Sequence, residues 1–241
     1  MHTEMIGHTE FIFREIPFGL SEEMDEIYAL RYQVYCNECA FINPDDYPEK
    51  LESDEYDRYS MHFIAEDTRG PIGTSRLILK NPHGFPLEDR CKEGLSLDLT
   101  HIDHKKVAEV SRLVISKLYR RRKNDGLYYS PDYSDMTPED KQAAIKRIRP
   151  MAFGIYREMY QASKRRGITH WYAIMEKSLS LLLKMHHFVF TPIGPEIDFY
   201  GPVRPYLCII EETERAVFGQ VPKLREYFLD GLEQKYHPPI A

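Results

Sequence analysis

The chain has 241 residues and a formal net charge of −6 at pH 7, with 42% hydrophobic and 29% charged residues. These values are ordinary for a globular protein, and the negative charge argues against a general nucleic-acid binder. The sequence contains no apolar run near the ~20 residues that span a bilayer. Its first ten residues also lack the basic start and apolar stretch of a secretory signal. We therefore expect a cytoplasmic protein without a transmembrane segment.

The four cysteines do not indicate a disulfide scaffold or a metal site. Cys36 and Cys39 have no second pair to complete a zinc site. His186 and His187 lack further ligands at metal-like spacing. We predict reduced thiols and no bound metal.

The first half of the chain alternates strand and helix signals. Alternating apolar residues predict a strand over 10–16, and helical spacing of Ile27, Leu30 and Val34 predicts a helix that begins at Ser21. The polar and acidic stretch 43–60 predicts a long loop. A short turn then joins two strand candidates into an antiparallel hairpin, residues 62–67 and 72–80.

The second half continues the alternation around two irregular stretches, 81–104 and 124–147. The β-branched run 107–116 predicts a strand, yet it carries Glu109 and Ser111, polar residues that need partners or a task inside a sheet. Further strands are predicted at 169–175 and 206–211 and an extended piece at 188–191. Helices are predicted from Pro150 to Arg166, over 178–187 and over 222–236.

This element order predicts an α/β (α+β) fold. A mixed sheet would be flanked by helices within a single domain, 1–241. Its insertions would lie at about 43–60, 81–104 and 124–147, and a C-terminal helix at 222–236.

Four blocks of sequence resemble the acyl-homoserine-lactone (autoinducer) synthases in order and spacing: 30–35 (LRYQVY), 52–57 (ESDEYD), 73–77 (GTSRL) and 109–113 (EVSRL). Residues 167–176 and 192–202 are more similar to the acyltransferases associated with the PEP-CTERM/exosortase system, a group related to N-acyl amino acid synthases. The resemblance implies a GNAT-like fold. Such a fold has a twisted, mostly antiparallel sheet, a V-shaped splay between two central parallel strands, and helices on both faces.

One departure bears on the acceptor. Autoinducer synthases usually carry a Trp in the loop after the first helix, which helps to enclose S-adenosylmethionine, whereas this chain has Phe41 and a longer acidic loop. An amino acid is therefore our preferred acceptor over S-adenosylmethionine.

The resemblance assigns chemistry to the strand at 107–116. Amide synthesis from a thioester needs a base for the amine and donors for the oxyanion. Glu109 is the candidate base, and the backbone N–H groups around Leu113 and Val114 are candidate donors. The competing interpretation makes Glu109 an ion-pair partner of Arg76 or Arg112. The candidate catalytic residues are Glu109, Arg76, Ser111 and Arg112.

A second set of residues is implied for the acceptor. Asp54 and Asp57 could bind its ammonium or hydroxyl groups, and the guanidinium groups of Arg31 and Arg76 could bind a carboxylate. That carboxylate could be the substrate's or that of Asp54 or Asp57, in which case the cluster is an internal salt-bridge network. Tyr35 and Phe41 complete the expected acceptor pocket.

Charge and apolar surface suggest where the donor binds. The basic run Lys117, Arg120, Arg121, Arg122 and Lys123 stands where acetyl-CoA-using relatives hold pyrophosphate, but one of two glycines is missing, which favours docking of an acidic acyl carrier protein. Trp171 and Met175, with Leu181, Met185 and Phe188, could line an acyl tunnel or be plain core.

The sequence therefore predicts an acyltransferase that makes an N-acyl amino acid from an acyl-carrier-protein or acyl-CoA thioester, without a tightly bound cofactor. The alternatives are a homoserine-lactone synthase that uses S-adenosylmethionine, and a non-catalytic lipid-binding or regulatory protein of an exopolysaccharide or exosortase system.

Overall fold

The computed structural model describes residues 1–6, 9–17, 22–92, 94–96, 102–117 and 138–239, with only the backbone described for 138–150. The chain divides into two compact units. Unit 1 comprises Met1–Arg76 and Arg112–Glu158, and unit 2 comprises Leu77–Ser111 and Met159–Ala241. The expectation of one domain over 1–241 stays a prediction.

The elements up to residue 115 are mostly strands. The strands are β1 (His2–Ile6), β2 (Thr9–Ile16), β3 (Ser60–Asp67), β4 (Gly70–Leu79) and β5 (Val107–Ile115). The helices are α1 (Glu22–Tyr32), which continues as a π-helical segment over Gln33–Glu38, and the short α2 (Pro86–Arg90).

The elements after residue 137 are mostly helical. The helices are α3 (Pro138–Arg166), α4 (Lys177–Met185), α5 (Ile210–Gln220) and α6 (Pro222–Leu229). The strands are β6 (His170–Met175), β7 (Thr191–Pro192), β8 (Ile197–Asp198) and β9 (Pro202–Ile209). None of the helices in the described ranges combines the length and the apolar character that crossing a bilayer requires.

Hydrogen bonding orders the strands as β1-β2-β3-β4-β5-β6-β9-β7, with β8 paired to β9. The pairs β1–β2, β2–β3, β6–β9, β7–β9 and β8–β9 are antiparallel, and β5–β6 is parallel. The fold is thus a mixed α/β architecture with a large, mostly antiparallel sheet, as the sequence predicts.

The parallel ladder between β5 and β6 covers only part of both strands. Its register begins at Val107 and His170 and ends at Val110 and Ala173, although β5 runs on to Ile115. Two residues beyond the ladder, Arg112 has a φ of 53°, in the left-handed region that is uncommon for a residue with a side chain. Positions 110–113 are half-buried between buried ends of the strand. The hydrogen-bonded ladder with β6 therefore ends before β5 does.

In unit 1, the first strands pack against helices. Phe13 is fully buried, and its ring lies so close to Gly154 of α3 that an added Cβ would overlap it. Ile16 and Ile64 form a cluster with Met24 and Ile27 of α1. The apolar face that helical spacing predicts for α1 is therefore buried, and α1 is fixed on the sheet.

Several predicted boundaries need correction. The helix predicted from Pro150 begins at Pro138, so the predicted insertion 124–147 ends in a helix. Pro150 therefore lies inside α3, where it cannot donate a backbone hydrogen bond. The helix tolerates it because the rest of its 29 residues stabilise it. The predicted C-terminal helix 222–236 ends at Leu229 and is followed by a 3-10 turn at 234–236. The strand β1 and the helix α5 have no counterpart among the predicted elements, and Ser21 lies outside the described residues.

Candidate active site

Six charged side chains of unit 1 form a network of ion pairs, hereafter the Arg/Asp network. Three are arginines and three are carboxylates, so their formal charges cancel. The members are Arg31, Glu52, Asp54, Asp57, Arg76 and Arg112.

Arg31, in the last turn of α1, is the most deeply buried cation of the network. Its Nε donates to Glu52 at 2.6 Å, and its Nη1 and Nη2 donate to the two carboxylate oxygens of Asp57 at 2.7 and 3.1 Å. The fork is bidentate on Asp57, the geometry that makes an arginine pair strong and directional. All three of its nitrogens therefore have carboxylate partners within the protein.

Arg76 and Arg112 complete the network from β4 and β5. Arg76 donates through Nη1 to both Asp54 and Asp57 at 2.6 Å, and through Nη2 to Asp54 at 2.7 Å. Arg112 donates through Nε and Nη2 to Glu52, and through Nη2 to Asp54 at 3.0 Å. Each carboxylate thus bridges two arginines, which ties the loop between α1 and β3 to both strands.

The carboxylates of the network stay ionised despite their burial. Burial alone raises the pKa of Glu52, but the charges of Arg31 and Arg112 outweigh it and hold that pKa below its usual range. The pKa values of Asp54 and Asp57 are also lowered, because the neighbouring arginines again outweigh burial. These three carboxylates are therefore anions at neutral pH and unsuited to take up a proton there.

Backbone geometry places the acidic residues. The Glu52 N–H donates to the Tyr28 carbonyl, which fixes the loop on α1. Asp57 begins a 3-10 turn, and its carboxylate accepts the Asp54 N–H at 2.8 Å. Asp54 and Asp57 therefore lie on one turn of the loop, with the Asp57 N–H bonded to the Asp54 carbonyl.

The network has one partly exposed edge. The side chains of Asp54 and Arg112 are 19% and 21% exposed, whereas those of Arg31, Glu52, Asp57 and Arg76 are 4% exposed or less. Tyr35, in the π-helical segment, lies with its ring 5.7 Å from the Arg112 guanidinium carbon and 6.5 Å from the Phe41 ring. A ligand that meets the network would meet it at this edge.

His62 is a buried neighbour of the network that sequence reasoning missed. Its Nε2 lies 2.9 Å from the Asp57 carbonyl oxygen, so this nitrogen carries the proton, and its Nδ1 has no hydrogen-bond partner in the described part of the chain. Burial lowers the pKa of His62 and keeps the ring neutral. The sequence contained one signal for it. His62 lies two residues before the core residue Ile64 on β3, and residues at that spacing face the same side of a strand.

Glu109 lies in unit 2 and has different surroundings. It is 2% exposed, and its Oε2 accepts the Leu87 N–H at 2.9 Å. Tyr172 is its partner residue across the parallel ladder, and the Tyr172 hydroxyl is buried without a hydrogen-bond partner among the described residues. Burial raises the pKa values of Tyr172 and Cys91, and the charge of Glu109 adds to both.

Trp171 lines an apolar cavity in unit 2, and Met175 is buried nearby on the same strand. The Trp171 Nε1 donates to Ser163 Oγ at 2.9 Å. The cavity is small, and its lining includes Tyr160, Phe188, Cys208, Val217 and Phe228. Leu181 and Met185 are instead exposed on α4.

The remaining predicted site residues are placed only in part. Val114 is buried against Leu30 and Val34, and Ser111 and Leu113 lie on the half-buried stretch of β5. The Lys117 N–H donates to Glu38 at 3.1 Å. The other basic residues of the predicted docking run, Arg120, Arg121, Arg122 and Lys123, lie outside the described residues.

Residues 30–129 match the family described as acetyltransferase (GNAT) domain. This range contains every member of the Arg/Asp network and Glu109. No curated protein matches the sequence.

Solved structures share the fold at low sequence identity. TofI, solved in a ternary complex with an inhibitor and MTA, is 18% identical with a TM-score of 0.61 over 89% of this chain and 98% of its own. The CoA-dependent acyl-homoserine lactone synthase BjaI, with SAM and isopentyl-CoA, is 15% identical with a TM-score of 0.59 over 95% and 91%. FeeM, an N-acyl amino acid synthase from uncultured soil microbes, is 14% identical with a TM-score of 0.57 over 88% and 97%.

Residues 30–129 thus match a GNAT acetyltransferase domain, and the fold is shared with solved acyl-transferring enzymes. The resemblance to autoinducer synthases and N-acyl amino acid synthases that the sequence blocks suggest is thereby confirmed at the level of fold.

Proposed function

We propose that the protein transfers a medium or long fatty acyl chain from a thioester to the amine of an amino acid. The observation that carries the proposal is the exposed edge of the Arg/Asp network, where the Asp54 carboxylate and the Arg112 guanidinium lie 3.0 Å apart. An amino acid presents an ammonium and a carboxylate on one carbon. The edge offers the complementary pair of charges, at the end of a network that is otherwise electrically neutral.

In the reaction, the neutral amine nitrogen attacks the thioester carbonyl carbon. A C–N bond forms, the C–S bond breaks, and the thiol leaves with a proton while the nitrogen loses one. We assign Glu109 as the group that takes the proton from nitrogen, directly or through one water, because the network carboxylates are held as anions by arginines. We assign the thioester carbonyl to Ser111 and the N–H groups near Leu113 and Val114, which lie on β5 beyond its last ladder pair with β6.

The donor is an acyl-phosphopantetheine thioester that binds transiently. We assign the acyl chain to the apolar surface around the buried side chains of Trp171 and Met175 on β6. An acyl carrier protein is our preferred donor because of the basic run that begins at Lys117, and acyl-CoA is the alternative. The cytoplasmic location and the association with a PEP-CTERM/exosortase system stay predictions.

Homoserine-lactone synthesis from S-adenosylmethionine is the second candidate. It is favoured by the shared fold of BjaI and TofI, and its substrate also carries an amino-acid end that would suit the same edge.

The experiment is a product analysis with purified protein. Acyl carrier protein and CoA thioesters of several chain lengths are each incubated with common amino acids or S-adenosylmethionine, and the extract is analysed by mass spectrometry. We expect an N-acyl amino acid and one free thiol per product. An N-acyl-homoserine lactone with released methylthioadenosine would favour the second candidate, and acyl binding without any product would favour a non-catalytic role.

A further inference from the structure

We propose that Arg112, and neither Arg31 nor Arg76, binds the α-carboxylate of the acceptor. This inference rests on the proposed function, since it concerns the acceptor of that reaction. It also differs from one of the two interpretations open from sequence, in which Arg31 or Arg76 would bind the substrate's carboxylate.

Arg31 and Arg76 are committed to the protein's own carboxylates. The three nitrogens of Arg31 donate to Glu52 and Asp57, and its side chain is 1% exposed. Arg76 donates through both terminal nitrogens to Asp54 and Asp57, and its side chain is 2% exposed. A substrate carboxylate could reach either fork only by displacing a buried aspartate, which would leave that aspartate without its cation.

Arg112 differs from both at one atom. Its Nε and Nη2 donate to Glu52 and Asp54, but in the described part of the chain no hydrogen bond involves its Nη1. Two N–H donors of a permanent cation are therefore available at the exposed edge of the network. An anionic oxygen is the acceptor that such donors bind most strongly.

The guanidinium of Arg112 is also held in a fixed orientation. Glu52 and Asp54 bind two of its nitrogens, and the Tyr35 ring lies 5.7 Å from its central carbon. Its backbone φ of 53° is unusual for an arginine and turns β5 at this residue. A site that is ordered before the ligand arrives spends little of the binding free energy on immobilising a long side chain.

Charge balance then sets the class of acceptor. The three arginines and three carboxylates already cancel, so an added anion alone would unbalance the edge, whereas a zwitterion adds no net charge. With its carboxylate on Arg112 Nη1, its ammonium falls beside Asp54, which binds Arg112 Nη2 at 3.0 Å. The structure thus favours α-amino acids over simple amines as acceptors.

The test compares an amino acid with the amine that lacks its carboxylate, for example tyrosine with tyramine. The readout is the ratio of kcat/KM for the two acceptors, because general damage to the site lowers both values and cancels in the ratio. We expect the wild-type enzyme to prefer the amino acid by about 10- to 100-fold, the usual strength of a hydrogen bond to a charged group. Arg112→Gln should reduce this preference nearly to one.

Two variants serve as controls. Arg76→Lys removes the fork from a committed arginine, and we expect it to lower both kcat/KM values while leaving their ratio unchanged. Arg69→Lys, in the exposed turn between β3 and β4, should change neither value. A ratio that falls with Arg76→Lys and persists with Arg112→Gln would assign the carboxylate to Arg76 and overturn the proposal.

The wild-type enzyme decides the point even if Arg112 variants fail to fold. Equal kcat/KM for tyrosine and tyramine would show that no residue recognises the carboxylate, and the proposal would be wrong while acyl transfer to an amine would stand. No N-acylated product from any amine would contradict the proposed function itself.

Discussion

Two of the buried carboxylate sites in the described part of this protein have different surroundings. In the Arg/Asp network, three arginines surround Glu52, Asp54 and Asp57 and lower their pKa values against the effect of burial. Glu109 instead accepts a backbone N–H from Leu87, with the Tyr172 hydroxyl and the Cys91 thiol as neighbours whose pKa values its charge raises.

This difference separates two roles. Carboxylates held by arginines contribute to order and to electrostatic recognition, but their protons are lost well below neutral pH, which makes them weak bases. Glu109 lies beside titratable groups whose pKa values are raised, and a carboxylate in such surroundings is the kind of group that active sites use for proton transfer. Substitution of Glu109 should therefore lower the catalytic rate, whereas substitution of a buried residue of the Arg/Asp network should lower stability.

The largest effect is expected from Glu109→Gln. The amide oxygen can still accept the Leu87 N–H, so the fold should persist, but the base is lost. We expect kcat to fall by about 10²- to 10⁴-fold with little change in thermal stability. Steady-state kinetics together with a melting curve measure both.

Glu66→Gln is the matched control for that variant. Glu66 lies on β3 in a partly exposed pair with Arg14, away from the proposed chemistry, and its substitution should leave kcat unchanged. If Glu109→Gln turns over at the wild-type rate, Glu109 has only a structural role.

Arg31→Met should show the reverse pattern. It leaves Glu52 and Asp57 with one arginine fewer in a buried setting, and breaking a buried pair in this way costs about 3 to 5 kcal/mol. The free energy of unfolding, from denaturant titration, should fall by that amount. Arg14→Met, which breaks partly exposed pairs with Glu23 and Glu66, should cost about 1 kcal/mol or less. Equal losses in the two variants would contradict the structural role of the network.

Acid should destabilise the network next. Folding lowers the pKa values of Glu52, Asp54 and Asp57, so their contribution to stability is complete above the ordinary carboxyl pKa of about 4 and is lost as the pH falls towards their folded values. The melting temperature should fall steadily below about pH 4. Asp57→Asn removes one of these groups, and its curve should be flatter over the same range. A wild-type melting temperature that stays constant as the pH falls below about 4 would argue against the lowered pKa values.

Part of this organisation could be predicted from sequence. The spacing of Ile27, Leu30 and Val34 gave the buried face of α1, and the β-branched run gave β5 because both patterns depend on local chain geometry. The pairing of Arg31 and Arg76 with Asp54 and Asp57 was one of two open interpretations. Sequence could not choose between them, because the choice depends on which oxygens the folded loop brings within reach of each fork.

Other features depend on tertiary contacts that leave little trace in local sequence. The start of α3 at Pro138 was missed because Pro150 resembles a helix start and is tolerated inside a long helix only when packing supports it. The helix α5 follows β9 without a break, so no turn signal marks it. Within the described part of the chain, Arg112 Nη1 makes no hydrogen bond because the other two nitrogens of the guanidinium face Glu52 and Asp54.

The smallest expected effect concerns Tyr172, the neighbour of Glu109 in the parallel ladder. Its hydroxyl is buried and has no hydrogen-bond partner among the described residues, so it carries a desolvation cost in the folded protein. Tyr172→Phe removes the hydroxyl and keeps the ring, which contacts Phe85 edge-on at 5.4 Å. We expect the free energy of unfolding to rise by about 1 kcal/mol, measured by denaturant titration.

Tyr160→Phe is the control, because the Tyr160 hydroxyl donates to Glu214 at 2.6 Å and its loss should lower stability. A loss of stability in both variants would show that the Tyr172 hydroxyl has a bound partner such as a buried water, and such a water beside Glu109 would be a path for the proton that leaves the amine.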